Sequence, residues 1–104
     1  MDDVSEHGLE GHWIHSREED SGNLMVLRPS TYSFPPSRGR YQYHLENDGD
    51  LHIIYPGATD KREAVGGTWA LEEDGVLVLH PSGGGSLRFR IVSIDSERLV
   101  MTRL

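Results

Sequence analysis

The chain has 104 residues, a formal net charge of −7, no cysteine, twelve glycines and five prolines. One domain of this length buries a single modest core, and without cysteine it has neither disulfides nor thiolate metal sites, which fits a reducing cytoplasm. The acidic balance argues against a general nucleic-acid binder, and no apolar run approaches membrane-spanning length, so neither nucleic acid nor a membrane is an expected partner.

Residues 1–9, beginning Met1-Asp2-Asp3-Val4, are acidic and polar; they read as a flexible lead-in with no signal peptide, ahead of a single β-barrel domain over 10–104. A first strand is expected at 10–16 and a second at 23–28, joined by a loop carrying Glu18-Glu19-Asp20 and Gly22. A long loop, 29–39, holds Pro35-Pro36-Ser37-Arg38-Gly39. Strand three, 40–46, sets Tyr41, Tyr43 and Leu45 on one face and Arg40, Gln42, His44 and Glu46 on the other. Asn47-Asp48-Gly49 turns it into strand four, 50–55, and loop 56–66 follows with Asp60-Lys61-Arg62-Glu63. Strands five and six form a hairpin over 67–81, turning at Glu73-Asp74-Gly75. Beyond Gly83-Gly84-Gly85 come strand seven, 86–94, and strand eight, 98–103, joined at Asp95-Ser96-Glu97.

No useful helical periodicity occurs. Short strands separated by closely spaced turns predict an all-β fold, an eight-stranded antiparallel up-and-down barrel. Gly11-His12-Trp13 and Gly67-Thr68-Trp69 each lead into Glu-Glu-Asp, a glycine, an apolar run and Pro-Ser. That likeness predicts a duplicated four-strand unit, closed so that no sheet edge is left free. The Asn47 and Glu73 turns read as type I turns followed by a left-handed glycine. They set Leu45 opposite Leu51, Tyr43 opposite Ile53, Tyr41 opposite Tyr55, Leu71 opposite Leu77 and Trp69 opposite Leu79. Carried round the chain, this register points Trp13, His15, Met25, Leu27, Tyr41, Tyr43, Trp69, Leu87, Phe89, Ile91, Leu99 and Met101 inward as well. It leaves Ile14, Leu24, Val26, Ile54, Val76, Val78, Val92 and Val100 outside, a patch that suggests a homodimer packed barrel on barrel.

In a barrel that steps from each strand to its neighbour, alternate loops share an end. One end then collects Glu18, Glu19, Asp20, Asp48, Glu73, Asp74 and Glu97, and the other Arg28, Arg38, Arg40, Lys61 and Arg62. The basic end has the longer loops, so a mouth for an anionic group is expected there, with Arg38 and Arg40 as fork donors and Arg28 and Arg62 beside them. Tyr41, His15, Trp13 and Trp69 would line the interior. The alternative is that Arg38 and Arg40 pair with Asp60 or Glu63 and pin the loops. Eight strands leave a lumen that side chains fill or that holds one small molecule.

Nothing assigns a catalytic residue or a cofactor. Ser16, Ser37 and Ser82 lack a nucleophile-elbow context, and no phosphate loop or dinucleotide fingerprint is present. His12 and His15 face opposite sides of a strand; His44 and His52 fall opposite each other on the outer face, without an obvious third metal ligand. His15 or Tyr41 could serve acid–base chemistry only inside a cavity.

Gly11-His12-Trp13 on the first strand of an eight-stranded meander resembles the Gly-x-Trp start of lipocalins and their calycin relatives. The resemblance implies a ligand-holding barrel and a last-strand arginine packed on that tryptophan, at Arg103 or Arg98. It also implies entry at the end carrying the first, third, fifth and seventh hairpin loops, against the basic mouth described above. The chain is shorter than a typical lipocalin and lacks the terminal helix. The segments His15–Asp20 and Pro35–Arg40 are similar to those of small bacterial lipocalin-like proteins. The expected function is non-enzymatic binding of a small anionic or amphipathic molecule; the alternative is a protein-interaction module or inhibitor acting through loop 29–39 or the N-terminus.

Overall fold

The structure is a computed structural model that describes residues 6–36, 39–55 and 63–104. Arg38, Asp60, Lys61 and Arg62, and the side chain of Glu63, lie outside the described residues. The strands are β1 (Gly11–His15), β2 (Leu24–Pro29), β3 (Gln42–Leu45), β4 (Asp50–Tyr55), β5 (Glu63–Glu72), β6 (Val76–Pro81), β7 (Leu87–Ile94) and β8 (Leu99–Arg103). They close into one barrel in which every neighbouring pair is antiparallel, so the strands run alternately up and down around the ring.

Alternation and turn chemistry together build the core. Leu45 faces Leu51, Tyr43 faces Ile53, Leu71 faces Leu77 and Trp69 faces Leu79, as the three-residue turns require. A one-residue slip would carry every apolar side chain to the outer face. The buried cluster contains Trp13, Leu27, Tyr43, Leu45, Leu51, Ile53, Trp69, Leu77, Leu79, Phe89, Ile91, Leu99 and Met101, all at inward positions. Each buried indole finds an acceptor: Trp13 Nε1–H donates to the Leu9 carbonyl at 2.9 Å and Trp69 Nε1–H to the Glu46 carbonyl at 2.8 Å. In the β5–β6 turn, Asp74 itself is left-handed (φ 66°) together with Gly75 (φ 71°), so this turn differs from the expected type I form while keeping its register. Aspartate is among the few L-residues that adopt this region readily.

The ring order is β1-β2-β8-β7-β6-β5-β4-β3, which departs from a simple neighbour-to-neighbour path at one place. β1 lies between β2 and β3, pairing with both. β2 and β3 therefore run parallel, and residues 30–41 must cross β1 between them. Arg28, at an outward position, stacks over Tyr32, so this connection begins on the outside of the barrel.

The crossing changes which loops share an end. The upper end carries residues 16–23, the close of β4, the start of β5, residues 82–86 and the chain terminus at Leu104. The lower end carries the 46–49, 73–75 and 95–98 turns. Glu18, Glu19 and Asp20 thus join the end expected to be basic, and the expected separation of an acidic from a basic end does not hold.

The lower end is closed. Glu6–Leu9 forms one helical turn, and Leu9 is completely buried in the core. The expected lead-in therefore ends as part of the hydrophobic cluster. On the outer face, Val26, Val76, Val78 and Val100 are buried although alternation turns them outward, whereas Leu24 and Val92 are exposed. Half of the patch that suggested a barrel-on-barrel dimer is covered within the single chain.

Candidate ligand-binding site

A cavity of about 380 Å³ occupies the upper end of the barrel. Its wall is His15 from β1, Met25 from β2, Tyr41 and Tyr43 at β3, Ile53 and Tyr55 from β4, Leu87 and Phe89 from β7, and Arg103 from β8. These are the inward positions nearest the upper end of their strands. The sheet's two-residue period puts them on one lining, and the core residues below them form a floor. The size lies near the lower end of the roughly 300–1,000 Å³ usual for small-molecule sites.

Four aromatic rings dominate this wall. Tyr41 and Tyr43 lie nearly parallel, with centroids 6.5 Å apart, and Tyr55 meets Tyr41 edge-on at 5.5 Å. Burial pushes the Tyr43 hydroxyl up to about 12, so it stays a protonated donor at neutral pH. Arg103 is close enough to Tyr43 to oppose that rise electrostatically. Among the described residues no carboxylate pairs with Arg103. His15 Nε2–H donates to Asp20 Oδ2 at 2.8 Å, since an ionised carboxylate can only accept. Asp20 Oδ1 accepts the Val26 amide at 3.0 Å, so one carboxylate ties the β1–β2 loop to both strands and orients the imidazole at the rim.

The other expected anchors are engaged elsewhere. Arg40 makes two parallel bonds to Glu18, at 2.7 and 2.6 Å, and donates further to the His15 and Pro35 carbonyls. Its guanidinium lies 4.9 Å from the Phe34 ring centre. Arg28 grips Glu19 in the same two-bond manner, at 2.8 and 2.6 Å, and sits 4.5 Å over Tyr32. Tyr32 and Phe34 meet edge-on. Adjacent glutamates on one 3-10 turn therefore hold two arginines, and each arginine stacks on one of two contacting aromatics. The arginine hydrogen bonds hold the Glu18 and Glu19 carboxyls down to about 2, with Ser16 Oγ–H adding a bond to Glu19. This double clamp fastens the crossing segment over β1 beside the mouth. Loop pinning was the alternative expected for Arg40, but its partner is Glu18, which the crossing of β1 brings alongside.

Of the residues expected to bind ligand, His15 and Tyr41 line the cavity; Trp13 and Trp69 are core residues outside its wall; Arg28 and Arg40 belong to the clamp; Arg38 and Arg62 lie outside the described residues. Arg103, which the lipocalin likeness would place on Trp13, lines the cavity instead. Its signal was present in the sequence. Leu99, Met101 and Arg103 alternate on the inward face, and a charge ending such a series marks a mouth rather than a core.

On the outer face, His12, His44 and His52 stand in one row across β1, β3 and β4. The third histidine comes beside the pair only because β1 pairs with β3. His12 and His44 stack at 3.7 Å, and His12 Nε2 meets Gln42 Oε1 at 2.7 Å. Among the described residues, no three histidine or acidic side chains are placed to hold a metal ion.

Comparison with protein-family models, with curated proteins and with solved structures finds no match for this chain.

Proposed function

We propose that the protein is a non-enzymatic, lipocalin-like carrier of a small amphipathic anion, held at the upper end of the barrel. The observation that carries this reading is an apolar, aromatic cavity rimmed by an arginine with no carboxylate partner among the described residues. Burying such a ligand's apolar body gains hydrophobic free energy, and its head group supplies a counter-charge for Arg103. The anionic preference expected from the sequence is kept, with Arg103 as its anchor among the described residues in place of Arg40, which is held by Glu18.

The test is thermal unfolding against a panel of fatty acids and aromatic carboxylates, with Arg103→Gln and Arg40→Ala in parallel. A ligand at one hundred times its dissociation constant stabilises by about 2.7 kcal/mol, which moves the melting temperature of a domain this size by several degrees. The shift should disappear in Arg103→Gln. In Arg40→Ala it should survive on a lower baseline. A shift that persists in Arg103→Gln would reject the anchor.

A second reading has one observation of its own. The clamp holds the exposed Pro35-Pro36 segment in place through the Arg40–Pro35 bond, as a preorganised docking loop would be held. Under that reading, Arg40→Ala would abolish binding of a protein partner, and no small molecule would shift the melting temperature.

A further inference from the structure

We infer that the ligand is a flat aromatic carboxylate rather than a linear acyl chain, an inference that rests on the carrier reading above. The cavity's shape is the first ground. No strand contributes more than two inward residues to the wall; where two occur they are consecutive inward positions, as in Tyr41 and Tyr43, Ile53 and Tyr55, or Leu87 and Phe89. Two such positions are roughly 7 Å apart along a strand, so the cavity is about two side-chain layers deep. Buried core residues fill the barrel beneath it, and Leu9 is buried among them toward the lower end. A space of about 380 Å³ with so little depth is broad. A broad cup fits a ring system, whereas an extended acyl chain needs a deep channel.

The wall's chemistry is the second ground. Tyr41, Tyr43, Tyr55 and Phe89 line the cup at three strands, β3, β4 and β7. Ring–ring contacts gain free energy beyond the area they bury, which a flexible chain does not collect. Three polar groups within the lining orient the ligand. Arg103 is the cationic residue of the lining, the Tyr43 hydroxyl is a donor, and His15 is already bonded to Asp20. A carboxylate at Arg103 leaves its ring against the aromatic wall. A cationic aromatic ligand would meet Arg103 as a like charge.

The experiment is isothermal titration of the full chain with naphthalene-2-carboxylate, naphthalene-2-methanol and decanoate, repeated on Arg103→Gln and Tyr41→Ala. Both substituted residues are exposed, and thermal unfolding without ligand confirms that each variant is folded. The naphthoate should bind at least tenfold more tightly than either the alcohol or decanoate. Arg103→Gln should erase the acid–alcohol difference by weakening the acid. Tyr41→Ala should weaken both naphthyl compounds more than it weakens decanoate. If decanoate binds as tightly as the naphthoate, with both lost in Arg103→Gln, the aromatic preference is overturned and the carrier reading stands. If neither acid binds, or both bind Arg103→Gln undiminished, the carrier reading falls as well.

Discussion

At the scale of single residues, the barrel depends on a few polar groups whose partners define them. Glu18 and Glu19 ionise far below the ordinary 4.5, at about 2, because Arg40 and Arg28 each donate two bonds to them. A carboxylate with a depressed folded-state pKa stabilises fully above its unfolded value and loses that contribution as pH falls through the folded one. The melting-temperature gap between the native chain and Glu18→Gln/Glu19→Gln should therefore stay constant above pH 4.5 and close as pH approaches 2. A gap unchanged across that range would show that charge is not what the clamp uses. His44 titrates in the opposite sense to a paired histidine. Burial first, then His12 and His52 beside it, push its pKa down, while Glu46 pulls it up. The neutral form is favoured in the fold, so its contribution is complete above the ordinary 6.5 and is lost on acidification through the lower folded value. His44→Gln should flatten the fall in urea-derived stability between neutral and mildly acidic pH.

At the scale of elements, the hairpins follow their turns, and one glycine sets how closely two strands approach. Gly67 in β5 lies against β6, where an added Cβ would run into the His80 carbonyl oxygen and come within 2.9 Å of Pro81 Cα. Backbone cannot swing aside as a side chain does, so Gly67→Ala should cost about 1–3 kcal/mol in urea unfolding. Gly66→Ala is the control, since its Cβ would meet only the Leu51 carbonyl oxygen at an ordinary 3.9 Å. The inward faces of β3 to β8 and the cross-strand partners at the 46–49 and 73–75 turns were legible because period two and turn length determine them locally, whereas β5 begins at Glu63, inside the stretch expected as a loop. The two tryptophan hairpins each carry a 3-10 turn, at Arg17–Glu19 and Glu73–Gly75, yet Trp13 faces Pro29 while Trp69 faces Leu79. That offset is one two-residue step, so the inward faces survive while the hairpins cease to be superposable.

At the scale of the whole molecule, closure makes the barrel a cup, and Leu9 belongs to its filled lower half. Leu9→Ala removes a completely buried side chain and should lower stability by about 2–5 kcal/mol, read as a smaller urea midpoint with an unchanged slope. It should not change the affinity for a ligand at the upper end, because Leu9 is not part of the cavity wall. A loss of binding in a folded Leu9→Ala chain would show that the core and the mouth are coupled through the barrel.

What the sequence determined by itself was the all-β class, the eight strands, their inward faces and the registers of the β3–β4 and β5–β6 hairpins. Each follows from side-chain alternation and turn residues within a few positions of one another. It did not determine that β1 enters between β2 and β3, because strand order depends on which edges meet after collapse, and both orders bury the same residues. Pairing β1 with β3 placed Glu18 beside Arg40, one of the arginines expected at the basic mouth, while Glu19 holds Arg28 within the β1–β2 hairpin and Arg103 lines the cavity. Long-range pairing, which no local pattern encodes, decided which residues surround the cavity.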